Sequence, residues 1–125
     1  MRKIIFYKTP GGKQPVAESL DQLIQSKNPK DHELGCDIAS SIALLEKSSK
    51  KDLDTVLSKK LQGYPLWELK VNNIRVIYCT ITDGTICLLH MFTKKSNETP
   101  KRHVETALKR YRNLLKNDSK NFLDD

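Results

Sequence analysis

Between Leu66 and Lys94 the apolar and polar positions fall into three blocks, separated by Asn72-Asn73 and by Asp83-Gly84. Both dipeptides tolerate positive φ and close tight hairpins, so the blocks predict antiparallel strands at 66–71, 74–82 and 85–94. With both loops taken as two residues long, the pairing follows residue by residue. In the first hairpin Val71 faces Ile74, Leu69 faces Val76 and Trp67 faces Tyr78. In the second Met91 faces Val76, Leu89 faces Tyr78 and Cys87 faces Thr80. One face of the sheet is then almost wholly apolar and is core. The other carries Ile77, Cys79, Ile81, Ile86 and Leu88 at one end. At its other end Lys70 lies directly across from Arg75, flanked by Phe92, His90 and Lys94. Like charges opposed in a ladder are destabilising, so this end asks for an anion.

The rest of the pattern is helical. After a short apolar strand at 2–7 and a break at Gly11-Gly12, Pro15 starts a helix with Val16, Leu20, Leu23 and Ile24 on one stripe, ending near 27. A second helix at 30–47 aligns Leu34, Ile38, Ile42 and Leu45, and the two stripes predict a helical hairpin on the apolar sheet face. A short turn of helix is expected at 53–59. Thr99-Pro100 opens the last helix, which runs to 116 with Val104, Ala107, Leu108, Tyr111 and Leu115 inward. Its outer face is basic, with Lys101, Arg102, Lys109, Arg110, Arg112 and Lys116, and His32 and His103 read as surface residues. The fold class is α+β: a mainly antiparallel, twisted sheet, a helical hairpin and a basic C-terminal helix. It forms a single domain over 1–116, with 117–125 read as a disordered tail.

Composition sharpens this picture at one point. The chain of 125 residues is long enough for a single core, and its net charge is +7. The excess sits in one half, because residues 59–116 carry twelve basic and four acidic side chains against nine and eight in residues 1–58. That asymmetry favours a polyanion, above all a nucleic acid, as partner. No stretch approaches the roughly 20 apolar residues of a membrane span, and the first residues are too short an apolar run for a signal peptide, so a cytoplasmic protein without a membrane partner is expected. Cys36, Cys79 and Cys87 have no C-x-x-C spacing and read as reduced thiols, the last two on opposite faces of the sheet. No metal-ligand spacing links the histidines.

A cluster of lysine, arginine and one histidine suits the extra negative charge that a phosphate gains during transfer. In RNA the 2′-hydroxyl supplies the nucleophile. Cleavage then needs a proton acceptor, cations over the phosphorane-like transition state and an acid for the leaving 5′-oxygen, with no metal or other cofactor called for. The candidate catalytic residues are Lys70, Arg75, His90 and Lys94. Lys59, Lys60, Phe92, Lys95, Lys101, Arg102, Lys109 and Arg110 are candidates for gripping RNA or the ribosome, since phosphate contacts position a protein without reading sequence. Solvated charge, a packed Phe92 and an Arg75 bridged to Glu68 or Glu98 are the plainer alternatives.

The motifs KKL-x-G-x-x-LWELK, RVIY, I-x-LLH-x-F-x-KK and TP before a basic helix, in this order, resemble the phage Gp49-like, HigB-type branch of the RelE/ParE toxin superfamily. The resemblance covers roughly Val16 to Leu115. It implies a RelE-like fold and the toxin of a type II toxin-antitoxin pair, a ribosome-dependent endoribonuclease that cleaves messenger RNA. Its implied partners are the ribosome with its mRNA and a cognate helix-turn-helix antitoxin, through which it would oligomerise. Position by position, Lys70 matches the lysine late in the second strand, Arg75 the arginine opening the third, and Lys94-Lys95 the basic pair ending the fourth. His90 and Phe92 match the H-x-F of the branch. Where several members of the superfamily carry an arginine and a tyrosine implicated in catalysis, this chain reads Ser96-Asn97-Glu98-Thr99, so the resemblance assigns no general base. A gyrase-poisoning toxin of the same superfamily and a non-enzymatic nucleic-acid-binding regulator are the competing expectations.

Overall fold

The computed structural model describes residues 3–48, 58–81, 84–95 and 99–124, with side chains as far as 117 in the last helix. Its elements in chain order are β1 (Ile4–Phe6), α1 (Pro15–Ile24), α2 (Pro29–Lys47), β2 (Ser58–Lys60), β3 (Trp67–Val71), β4 (Ile74–Thr80), β5 (Ile86–Thr93) and α3 (Lys101–Asp124). The strands form one mixed sheet in the order β1-β5-β4-β3-β2. β1 runs parallel to β5 and the other pairs are antiparallel.

Both faces of the sheet are covered, and each holds a core. On one side Val16 and Leu20 of α1 and Ile38, Ile42 and Leu45 of α2 pack with Leu69, Val71, Val76, Tyr78, Ile86 and Leu88. On the other, Val104 and Ala107 of α3 pack with Leu66, Ile77, Cys79, Cys87, Leu89 and Phe92. The helices start where the sequence places them, with Pro15 and Pro29 in first turns and the Asn28 side chain accepting from the backbone N–H groups of Lys30 and Asp31. α1 stops at Ile24, the last residue of its stripe and three before the expected end near 27, and α3 continues to Asp124, beyond 116. Leu115 is exposed, and Leu114 packs against the core in its place. Ser58 and Lys59, expected in a helical turn, lie instead in the edge strand β2; 53–57 fall outside the described residues. Among the described residues no helix is long and apolar enough to cross a membrane.

α1 and α2 approach so closely at Gly35 that a Cβ there would lie 2.9 Å from both the Ile24 backbone nitrogen and its Cγ1. Backbone cannot rotate out of the way as a side chain can. Gly35→Ala is therefore expected to destabilise the fold by about 1–2 kcal/mol: overpacking costs about 1–3 kcal/mol and the better helix propensity of alanine offsets up to about 1. Urea unfolding checks this, and a midpoint equal to or above the parent's would show that α1 gives way.

The first hairpin pairs as the sequence predicts, with Asn72 at φ 53° in its turn. The second does not. Ile81 N–H donates to the Thr85 carbonyl at 2.8 Å, so three residues rather than two separate the paired positions, and Gly84 has φ 87°. This shifts Tyr78 opposite Leu88 and Cys79 opposite Cys87, until an irregularity between Ile77 and Tyr78 restores the expected pairing at Ile77–His90 and Val76–Met91. Leu89 is the extra residue. The shift corrects the sidedness expected of four residues: Ile86 and Leu88 face α1 and α2, while Cys87 and Leu89 face α3. Cys79 and Cys87, expected on opposite faces, are neighbours on one, both buried as free thiols.

Candidate functional site

Strand register builds the site in two adjacent rows on the α3 face. Lys70, Arg75 and Phe92 form one row, and Lys59, Glu68, Ile77 and His90 the next. Lys70 stands across from Arg75 as expected, but the anion these cations ask for comes from the protein. Arg75 is buried, with Nε 3.7 Å from Glu68 Oε1, and its Nη1 donates to the carbonyls of Asn72 at 2.8 Å and Ile74 at 3.0 Å. Glu68 Oε2 in turn accepts from the Thr99 hydroxyl at 2.6 Å, which ties the start of α3 to β3. For Arg75, the plainer alternative of a bridge to Glu68 is the one seen. Lys70 is exposed, with no carboxylate within ion-pair distance among the described residues. Lys94 is half-buried, its backbone N–H closing the strand end on the Asn73 carbonyl at 2.7 Å, and Lys95 is exposed.

The irregularity in β5 offsets the longer loop and so keeps the imidazole of His90 on this face. A bulge lets two successive residues point to the same side and re-aims the second. Here Leu89 enters the core beneath α3, and His90 also turns to that side, where it meets α3. His90 Nε2 lies 2.8 Å from Nδ1 of His103, so one proton is held between the two rings. His103 stacks face to face on Phe92, with centroids 3.9 Å apart and planes 9° from parallel. Phe92 is buried by this contact, so packing rather than a free stacking surface is its observed state. Arg110, expected on the outer face of α3, turns inward: its Nη1 donates to the Leu89 carbonyl at 2.7 Å and lies 3.4 Å from His90 Nδ1. At the exposed end Arg102 Nε lies 3.5 Å from His103 Nε2. The two arginines favour opposite tautomers of the pair. Arg110 calls for an acceptor at His90 Nδ1, Arg102 for one at His103 Nε2, and the two states differ by the position of one proton on each ring.

Burial and the Arg110 guanidinium, with His103 beside it, push the His90 pKa down to about 4. Burial and Arg102 lower that of His103. Both rings are therefore neutral at pH 7. The consequence for stability has a definite sign. The unfolded chain takes up a proton near 6.5 and the folded protein only near 4, so this contribution is complete above 6.5 and is lost as pH falls through the interval to 4. The ring is only half-buried, and solvent screening reduces the effect to about 1–2 kcal/mol. Urea titrations of the parent and of His90→Gln across this window test it. The substitution should flatten the pH dependence, and an unchanged slope would assign it to other groups.

The remaining candidates line the approach to this face. Lys59 and Lys60 are exposed on the edge strand β2. Lys101, Arg102 and Lys109 are exposed on α3, where Lys101 makes a solvent-facing contact with Glu105 at 3.9 Å. Glu68 was foreseen as a bridge to Arg75; sequence reasoning missed Thr99, the approach of His103 and the inward turn of Arg110. Among curated proteins none matches the chain. The family model for the phage-derived Gp49-like proteins does match, over residues 28–112, from the cap of α2 to the middle of α3, and takes in both histidines, Glu68, Arg75 and the exposed lysines. With more than half of its length matched, and with the motifs that first suggested the resemblance inside the match, the chain belongs to the phage-derived Gp49-like protein family.

Proposed function

We propose that the protein is the toxin of a type II toxin-antitoxin pair, with a RelE-like arrangement, that cleaves messenger RNA on the ribosome using the RNA 2′-hydroxyl as nucleophile. The observation that carries the reading is the α3 face itself: exposed Lys70 in the row of Arg75 and Phe92, a neutral imidazole pair stacked on that Phe92, and Lys94 and Lys95 just after the end of β5, in a chain of a family that fits a toxin-like superfamily. Lys70 and Lys94 would stabilise the charge that develops on the phosphate. Arg75, tied to Glu68, would fix the end of the hairpin from which Lys70 projects, adding a field reduced by its counter-charge. Lys59, Lys60, Lys95, Lys101, Arg102 and Lys109 would hold phosphates of ribosomal RNA. The cytoplasm, where ribosomes translate, would be its place of action, and a helix-turn-helix antitoxin covering the Lys70 and Lys94 surface would silence it.

Induced expression of the chain alone should stop protein synthesis, with primer extension on a translated message revealing new 5′ ends. Continued translation with cleaved DNA trapped on gyrase would replace this reading by the poison reading. Affinity for the ribosome should also depend on salt: with about four to six phosphates neutralised, log K falls against log salt with a slope of roughly −3 to −5. Removing Lys109 should flatten that slope by about one, whereas a salt-independent affinity would contradict the assigned grip.

A further inference from the structure

We propose that His103 is the general base of the reaction, taking the proton of the RNA 2′-hydroxyl on Nε2, and that His90 is the residue that positions it. The inference rests on the ribonuclease reading and names the proton acceptor that the loop at 96–99 does not supply.

Three observations carry it. First, the two imidazoles differ in access. His90 lies in the strand, half-covered, with Nδ1 facing Arg110 and Nε2 occupied by His103, so neither of its nitrogens is open to a substrate. His103 has Nδ1 bound to His90 and Nε2 on the outer side, where the only neighbour seen among the described residues is the exposed guanidinium of Arg102. Second, the ring of His103 is held in place on two sides, by the 2.8 Å bond to His90 and by the parallel stack on Phe92 at 3.9 Å. A base whose free nitrogen is fixed in direction wastes little of its encounters with the substrate proton. Third, Arg102 Nε–H points at the Nε2 lone pair from 3.5 Å. When this tautomer is present, Nε2 is an acceptor and Nδ1–H donates to His90. An arriving phosphate draws the mobile Arg102 away and leaves the lone pair for the adjacent ribose hydroxyl.

The step balances without any further reagent. The O2′–H bond breaks and its proton forms an N–H bond at His103 Nε2. The O2′ electron pair forms a bond to phosphorus, the bond from phosphorus to O5′ breaks, and the leaving oxygen takes a proton from water. The imidazolium of His103 keeps its Nδ1–H bond to neutral His90, then returns its extra proton to solvent. His90 thus serves as a neutral orienting acceptor, in the place where a carboxylate often stands in other triads.

The charged groups that face the pair are few. Arg110 and Arg102 come from α3, and Arg75 with Glu68 lies across the sheet on β4 and β3, paired to each other. Burial and Arg102 keep His103 below the usual histidine range, so the base is already free at neutral pH. The rate should therefore rise with pH to a midpoint below 6.5 and level off above it.

The test is single-turnover cleavage of a translated message in a reconstituted translation reaction, followed by primer extension between pH 5 and 8, with the full chain and its His103→Gln and His90→Gln variants. The expected result is a rate about 10² to 10⁴-fold lower for His103→Gln, read at a temperature where thermal unfolding shows the variant folded, since loss of the stack on Phe92 itself costs some stability. His90→Gln should keep the cleavage positions, lower the plateau rate about 10-fold and move the pH midpoint further down, because an amide oxygen is a weaker acceptor for the His103 imidazolium than the imidazole nitrogen it replaces, a shift that a merely structural residue would not produce. A cleaving parent with His103→Gln within about 3-fold of it, or a pH profile that is the same for parent and His90→Gln, overturns the assignment while leaving the ribonuclease reading standing. A parent that leaves the message intact at every pH overturns both, and is told apart by the parent lane alone.

Discussion

Replacing Arg75 with alanine is expected to destabilise the protein by about 3–5 kcal/mol, because it strips a buried carboxylate of its counter-charge. Glu68 is among the most enclosed charged groups of the chain, at 3% exposure, and Thr99 alone would remain to satisfy it. The same substitution frees the carbonyls of Asn72 and Ile74, which the guanidinium holds at the turn between β3 and β4. Chemical unfolding of Arg75→Ala, Glu68→Gln and the double variant gives the coupling directly. The double variant should lose clearly less than the sum of the singles, since removing both charges leaves nothing uncompensated. Additive losses would mean that the 3.7 Å contact carries little and that the carbonyl bonds matter more. Any fall in cleavage by Arg75→Ala must be read after correction for the folded fraction.

Lys70→Ala is expected to do the reverse: to reduce cleavage about 10² to 10³-fold at nearly unchanged stability. Its ammonium is exposed, has no carboxylate partner among the described residues, and projects from the row that contains Arg75 and Phe92. Removing it relieves repulsion with Arg75 worth some tenths of a kcal/mol, so unfolding midpoints should stay level or rise slightly. Single-turnover cleavage by a variant shown to be folded is the measurement. A fully active Lys70→Ala protein would move the transition-state charge to Lys94 or to the imidazole pair.

How much of this was legible in the chain depends on how often a pattern repeats. The helical stripes of α1 and α2 and the whole register of β3 with β4 follow from periodicity and one Asn-Asn turn, and they hold in the structure. The register of β4 with β5 fails over part of its length for a physical reason. Asp-Gly closes two- and three-residue loops alike, and Ile86-Cys87-Leu88-Leu89 is apolar at every position, so burial on both faces gives no preference for either phase. The anion for Arg75 stood among two candidates, Glu68 and Glu98, because the reach of Glu68 across to β4 is a diagonal contact that strand pairing does not specify. His103 precedes the inward Val104 by one residue and so sits at the margin of the α3 stripe; only the docking of the helix on the bulged strand brings it to His90. Arg110 hid for the same reason, as a long side chain at the edge of a face rather than in its middle.

The loop of the second hairpin and the bulge at Leu89 cancel one another, one residue being inserted at the turn and given back after four pairs, between Tyr78–Leu88 and Ile77–His90. During folding, β4 and β5 therefore meet with two rival zippers open to them. A continuous one, with a two-residue loop, would close without interruption and aim Leu89 at the wrong layer. The native one must accept a defect midway. What separates them is not the hairpin itself but the packing of α3, whose apolar side takes Cys87 and Leu89 only in the interrupted register; His90 faces Ile77 in either. The alignment of β5 is thus tied to a surface outside the hairpin: the α3 layer is where the slipped residues find their burial.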